Sequence, residues 1–153
     1  MRSAEQAKRV ERYLHEAIPL CASMQVKVVL ATPEQVRLSA PLAPNVNHHE
    51  TVFGGSAVAL ATLAAWTLVH TRLQSIGCDA QLVIQRSAME YTRPICGDFA
   101  AVCAFDDRVA WQRFDTILQR RGRARVTMIS HLVHRELQVA SFQGDFVALR
   151  RDP

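Results

Sequence analysis

The sequence contains no Cys-x-x-C pair, no internal repeat, no low-complexity tract and no Pro/Gly-rich linker. Its four cysteines, Cys21, Cys78, Cys96 and Cys103, have no spacing suited to a metal or redox centre, so buried reduced thiols are expected. The opening segment, MRSAEQAKRVERYL, lacks the apolar core of a signal peptide. The one candidate membrane span, Ala57 to Val69, is too short for a clean transmembrane helix and rich in Ala and Thr. These absences make a cytosolic protein the expectation. With nothing to divide it, the chain reads as one domain, residues 1–153, large enough to bury a real core.

One further absence organises the rest. From Gly54 to Thr71 the chain carries no Asp, Glu, Lys or Arg, although charged residues make up 21% of the whole. Helix formers dominate that interval, and Val58, Leu60, Leu63, Trp66 and Leu73 are spread around the helix axis. A helix apolar on nearly every side is a buried one. The segment from Ser56 to Ile76 would be roughly 30 Å long at the α-helical rise, enough to cross a small domain. A polar lead-in, Pro44 to Phe53, delivers the chain to the Gly54-Gly55 pair at its start.

The flanking sequence supplies strands. Ser3 is a candidate N-cap for an amphipathic first helix, with Ala7, Val10, Tyr13, Leu14, Ala17 and Ile18 at helical spacing and Pro19 ending it. Residues 25–30 and 36–40 read as a hairpin around Thr32-Pro33-Glu34. Beyond the central helix, residues 80–91 and 98–105 read as strands. Asp106 or Asp107 caps a second amphipathic helix with Ala110, Phe114, Ile117, Leu118 and Arg121 on one face and Gly122 at its end. Residues 123–134 and 137–149 finish the chain as two strands. Strand runs without regular βα alternation predict an antiparallel α+β domain, one sheet curled round one helix.

The segment N-V-N-H-H-E-T-V-F-G-G-S followed by an Ala/Leu-rich helix resembles the hotdog-fold acyl-thioester enzymes. Within them the chain is most similar to the YiiD C-terminal domain family, through A-P-L-A-P-N-x-N, T-x-F-G-G-S, the helical Ala-Ala-Trp and R-R-G-R-A-R-V. The resemblance implies a hotdog fold, a homodimer or homotetramer, and active sites between subunits. It implies a thioesterase or, more specifically, a malonyl-acyl-carrier-protein decarboxylase that makes acetyl-acyl-carrier protein to prime fatty acid synthesis. Its substrate would be a thioester of acyl carrier protein or CoA, and the essential loop asparagine of such enzymes matches Asn45.

The residue types bear on which reaction is expected. Hotdog thioesterases of the phenylacetyl-CoA type carry His-Gly-Gly at the turn and an acid two turns into the helix. Here Phe53 and Thr62 stand at those positions. Hydrolysis needs a base or nucleophile. Decarboxylation of a malonyl thioester leaves an enolate, and its main need is preorganised donors at the thioester oxygen in a site poor in water. The Gly54 and Gly55 amides at a helix N-terminus, with the Asn45 side chain, are expected to be those donors. Phe53, Thr62 and Trp66 would then shape an apolar pocket. A hydrolase with its base supplied elsewhere is the alternative, and a non-catalytic thioester-binding module is the third reading.

Other polar residues have two readings each. Asn45 and Asn47 either act on substrate or satisfy loop backbone. His48 and His49 suit a proton donor or loop hydrogen-bonder; no acidic or Cys cluster joins them, so no metal or other cofactor is expected. Thr51 and Ser56 read first as helix caps and second as substrate contacts. Arg120, Arg121, Arg123 and Arg125 straddle a helix end, either as a solvated face or as a docking patch for an acidic carrier protein or pantetheine phosphates. The net charge of +4 suits an anionic partner, but no nucleic-acid-binding motif accompanies it, and no membrane partner is expected.

Overall fold

The computed structural model describes residues 1–151. Its long central element is α3 (Gly54–Ser75), and every other element is placed with respect to it. Helices α1 (Arg2–Ala17) and α2 (Pro19–Ser23) precede the hairpin β1 (Lys27–Ala31) and β2 (Gln35–Ala40). After α3 come β3 (Ala80–Tyr91), β4 (Phe99–Ala104), α4 (Arg108–Arg121), β5 (Arg123–His134) and β6 (Leu137–Arg150). All six strands join one antiparallel sheet in the order β1-β2-β4-β5-β6-β3.

The strand pattern explains the layering. Along β5, Ala124, Val126, Met128, Ser130 and Leu132 are buried while the residues between them face outward, the period of a half-covered strand. Val36, Leu38 and Ala40 of β2 do the same. These inward rows meet α3, whose Leu60, Ala61, Ala64, Ala65, Leu68 and Val69 are fully enclosed. Ser130, a polar side chain in that contact, is satisfied: its Oγ donates to the Ala61 carbonyl at 2.9 Å. The β5–β6 turn places both Arg135 (φ 51°) and Glu136 (φ 62°) in the left-handed region, which a tight hairpin with right-handed strand twist requires.

Sequence expectation and structure part company at several points. Α3 is not enclosed on all sides: Val58, Thr62, Trp66 and His70, four residues apart, form a half-buried stripe. One chain has a single sheet, which covers one side of the helix and leaves that row uncovered. Strand β3 is one of the two sheet edges and is largely exposed, with Val83 and Ile84 38% and 42% exposed and only Ala80, Leu82 and Met89 packed against the core. Ser3 lies inside α1, which starts at Arg2 and has no side-chain cap. The buried face of α4 is Trp111, Phe114 and Leu118, with Ile117 turned outward. Its caps are as expected: Asp107 accepts from the Ala110 amide at 3.0 Å, and Gly122 closes the helix at φ 71°. Cys96 is exposed rather than buried, whereas Cys103 is enclosed and its thiol is pushed up to about 11 by desolvation.

Two tethers fix α3 along its length. Near its middle, Trp66 Nε1 donates to the Leu82 carbonyl of β3 at 3.1 Å. Toward its C-terminus, Arg72 pairs with Asp115 of α4 at 3.1 Å, its guanidinium 5.5 Å from the Trp111 ring centre. Among the described residues no helix is long and apolar enough to cross a membrane.

Candidate active site at the N-terminus of the long helix

The loop before α3 is folded by its own side chains. Asn47 Oδ1 accepts from the backbone amides of His49 and Thr51, at 2.8 and 3.2 Å, an Asx-type turn. Asn47 Nδ2 donates to Thr51 Oγ1 at 3.0 Å. Val46 and Val52 then pair across the loop, and the Phe53 amide donates to the Asn45 carbonyl at 2.8 Å. The chain thus enters α3 with Phe53 extended (φ −58°, ψ 132°).

Asn45 is the buried anchor of this loop, only 2% exposed. Its Nδ2 donates to the Met24 carbonyl at 3.0 Å and to the Pro41 carbonyl at 2.8 Å. An amide nitrogen has two hydrogens, so both are committed to backbone. The atom left over is Oδ1, buried and without a partner. Two facing carbonyls also fix which way the amide points, because a flipped oxygen would meet both.

Helix α3 starts with no side-chain cap. Its first intrahelical bond runs from the Ala57 amide to the Phe53 carbonyl at 3.0 Å, so the amides of Gly54, Gly55 and Ser56 precede the ladder. Thr51, read from sequence as a cap, is unavailable because its hydroxyl is paired with Asn47. Ser56 is half-buried within the first turn and does not cap it either. Three unpaired N–H groups at the positive end of a 22-residue helix form an anion-attracting corner.

Two aromatic rings flank that corner. A Cβ on Gly55 would stand 2.3 Å from Phe53 Cε2, so the Phe53 ring, 57% exposed, lies directly against the Gly55 backbone. Tyr91, at the end of β3, donates its hydroxyl to the Gly54 carbonyl at 2.8 Å. Burial raises the Tyr91 pKa above its ordinary value, so the phenol stays protonated at neutral pH. A cavity of about 320 Å³ opens beside the helix start, lined by Val52, Ala57 and residues 91–95, with Arg93 its one charged residue.

Sequence reading missed Tyr91 and Arg93. They come to the site because residues 91–95 return alongside the loop, where the Val52 amide donates to the Ile95 carbonyl at 2.8 Å. Nothing near Tyr91 in the sequence signals that long-range return. Thr62 sits two turns further along α3, half-buried, its hydroxyl donating to the Val58 carbonyl at 2.7 Å and so able only to accept from a ligand. His48 and His49 are exposed on the loop, their rings 3.8 Å apart, away from the helix start. Arg120 and Arg121 are exposed at the end of α4. Register places them far from Gly54 in the same chain: Arg123 pairs with Leu149 and Leu149 with Gln81, whereas the helix start lies at the Tyr91 end of β3. No group of His, Cys, Asp and Glu able to hold a metal ion occurs among the described residues.

Comparison with known proteins identifies the fold and the family. Residues 7–150 match the family described as "Putative thioesterase (yiiD_Cterm)". A protein of unknown function from Chlorobaculum tepidum superposes with a TM-score of 0.90 at 23% identity, covering 97% of each chain. A structure from Shewanella oneidensis described as a "putative thioesterase" gives a TM-score of 0.86 at 28% identity over 95% of this chain and 99% of that one. A protein from Pseudomonas aeruginosa described as "Probable Thioesterase" gives 0.82 at 22% identity, over 94% and 96%. The antiparallel sheet around one long helix is the hotdog fold, and the chain belongs to the YiiD C-terminal family of thioesterase-like proteins.

Proposed function

We propose that the protein decarboxylates a malonyl thioester, malonyl-acyl-carrier protein before malonyl-CoA, to the acetyl thioester. The observation that carries this reading is the pairing of three unbonded amides at the start of α3 with a cavity that holds no carboxylate, imidazole or thiol. In the reaction the carboxylate–methylene bond breaks, its electron pair passes into the enolate, and CO2 leaves. The negative charge gathers on the thioester oxygen. Donors aimed at that oxygen in a water-poor site lower the barrier without any base. Gly54, Gly55 and Ser56 supply the donors, and the rings of Phe53 and Tyr91 limit water. Arg93 is placed to receive the malonyl carboxylate before it departs. The enolate carbon then takes a proton.

Asn45 contributes to this site through the loop it holds, since its N–H groups face Met24 and Pro41. Asn47 and Thr51 shape the same loop. Thr62 lies two turns along α3 on the half-buried stripe.

The site is completed by a second copy. Strand β3 offers 12 residues of open edge with exposed Val83 and Ile84, an arrangement that invites strand pairing. Antiparallel pairing of two β3 strands sets the Tyr91 end of one beside the Ala80 end of the other. It brings the partner's arginine-bearing sheet end toward the first copy's helix start, where Arg120 and Arg121 would meet an acidic carrier protein.

Hydrolysis remains the competing reading, favoured by the family's description. Incubation with malonyl-carrier protein and malonyl-CoA separates the two. Acetyl thioester and CO2 without free thiol support decarboxylation; free thiol with malonate supports hydrolysis and overturns it.

A further inference from the structure

A cavity of about 670 Å³ lies away from the helix start. It is a groove between α1, the β1–β2 turn and the C-terminal half of α3, and nothing in the proposed reaction uses it. Thr71 lies 17 residues beyond Gly54, roughly 25 Å along the helix. A volume of this size is that of a typical small-molecule site.

The lining has a definite chemistry. It includes two cations, Arg2 and Arg9, and no Asp or Glu. Thr71 lines the groove while only 4% exposed, and its hydroxyl has no partner. The Thr67 hydroxyl on the same helix is likewise buried without a partner, whereas Thr62 returns its proton to the Val58 carbonyl. Of the two, Thr71 is the one that lines the groove, where a ligand atom could pair with it. One wall is aromatic and flat. Tyr13 stacks on His70 with centroids 5.0 Å apart and planes 7° from parallel, and His70 stacks on Trp66 at 4.7 Å and 12°. Tyr13 and His70 both line the groove. Burial lowers the His70 pKa, so the ring is neutral at pH 7 and offers one donor and one acceptor.

Cations at the mouth, a buried hydroxyl, a neutral imidazole and a flat aromatic wall together describe the complement of a planar heterocycle carrying phosphate. A fatty-acid anion fits less well, because the apolar lining amounts to Val10, Ala31 and Pro33 beside Tyr13. We propose that this groove is a nucleoside-phosphate site, separate from the catalytic corner, with the phosphates on Arg2 and Arg9 and the base against Tyr13 and His70. The nucleotide has two possible sources, a free nucleotide or the adenosine 3′,5′-bisphosphate handle of a coenzyme thioester.

The test is titration of the full chain with a fluorescent N-methylanthraniloyl-ATP, read by energy transfer from tryptophan. Saturable binding is expected, weakened about tenfold or more in the Arg2→Glu/Arg9→Glu variant. Thr71→Val, which replaces the unpaired hydroxyl by a methyl of the same shape, should weaken binding about threefold while leaving the melting temperature unchanged or raised. Displacement by ADP at lower concentration than adenosine 3′,5′-bisphosphate assigns the site to free nucleotide; the reverse assigns it to the coenzyme handle, and either supports the proposal. No saturable binding up to about 1 mM, equal displacement by inorganic phosphate, preference for dodecanoate, or binding indifferent to both variants would overturn it. None of these readouts depends on thioester turnover.

Discussion

The two ends of α3 are built on opposite principles. At its N-terminus the helix is left uncapped, its first three amides unbonded and flanked by the partly exposed rings of Phe53 and Tyr91. Toward its C-terminus the helix is tied to its neighbours, Trp66 to β3, Arg72 to Asp115, and His70 stacked on Tyr13 and Trp66, although the Thr67 and Thr71 hydroxyls there have no partner. The stability supplied at one end lets the other keep unpaired donors, which cost free energy until a ligand meets them. A site that stabilises developing negative charge needs this asymmetry, because donors already paired to the protein cannot serve the transition state.

The comparison is broken most sharply by removing one donor at the open end. Gly54 is the first helical residue, and Phe53 before it is extended (φ −58°, ψ 132°). Proline is well accepted at that position and after such a residue, and a Cβ there meets Tyr91 at an ordinary 3.5 Å. Gly54→Pro should therefore fold normally by circular dichroism yet lose about 10²–10³-fold in kcat on malonyl thioester. Asn45→Ala tests the loop beneath. Loss of both Nδ2 bonds leaves the Met24 and Pro41 carbonyls without that donor, and urea unfolding should show about 2–4 kcal/mol of destabilisation.

At the C-terminal end the effects should spare turnover. Asp115→Ala strands the Arg72 guanidinium, a pair whose side chains are 23% and 21% exposed. The cost should be about 1–3 kcal/mol, below that of breaking a fully buried pair, with kcat unchanged. The smallest expected effect is a pH dependence. Burial lowers the His70 pKa below its ordinary value of 6.5. The unfolded chain therefore takes up that proton first, so the stability contribution is complete above pH 6.5 and declines as pH falls through the folded value. His70→Gln should flatten the melting-temperature profile in that acid range.

Much of this was legible in the sequence. The uncharged interval located α3, the alternation in residues 123–134 located β5, and Asp107 and Gly122 marked the ends of α4. What escaped depends on contacts far apart in the chain. The aromatic stack joins Tyr13 to His70, and the helix start is reached by Tyr91, 37 residues away. The half-buried stripe through Thr62 and Trp66 could not be read either, since a composition apolar all round does not reveal which side a single sheet leaves uncovered. Asn45 shows the same limit. Its residue type suggests a donor, but only the positions of Met24 and Pro41 reveal that its donors are committed and its oxygen is free.

The central claim is that the helix start stabilises an enolate rather than activating water. The most direct measurement is mass spectrometry of the products formed from malonyl-carrier protein in D2O. The account predicts an acetyl thioester carrying deuterium at its methyl carbon, because the enolate takes its proton during turnover. Malonate with free carrier-protein thiol, and no acetyl thioester, would contradict it.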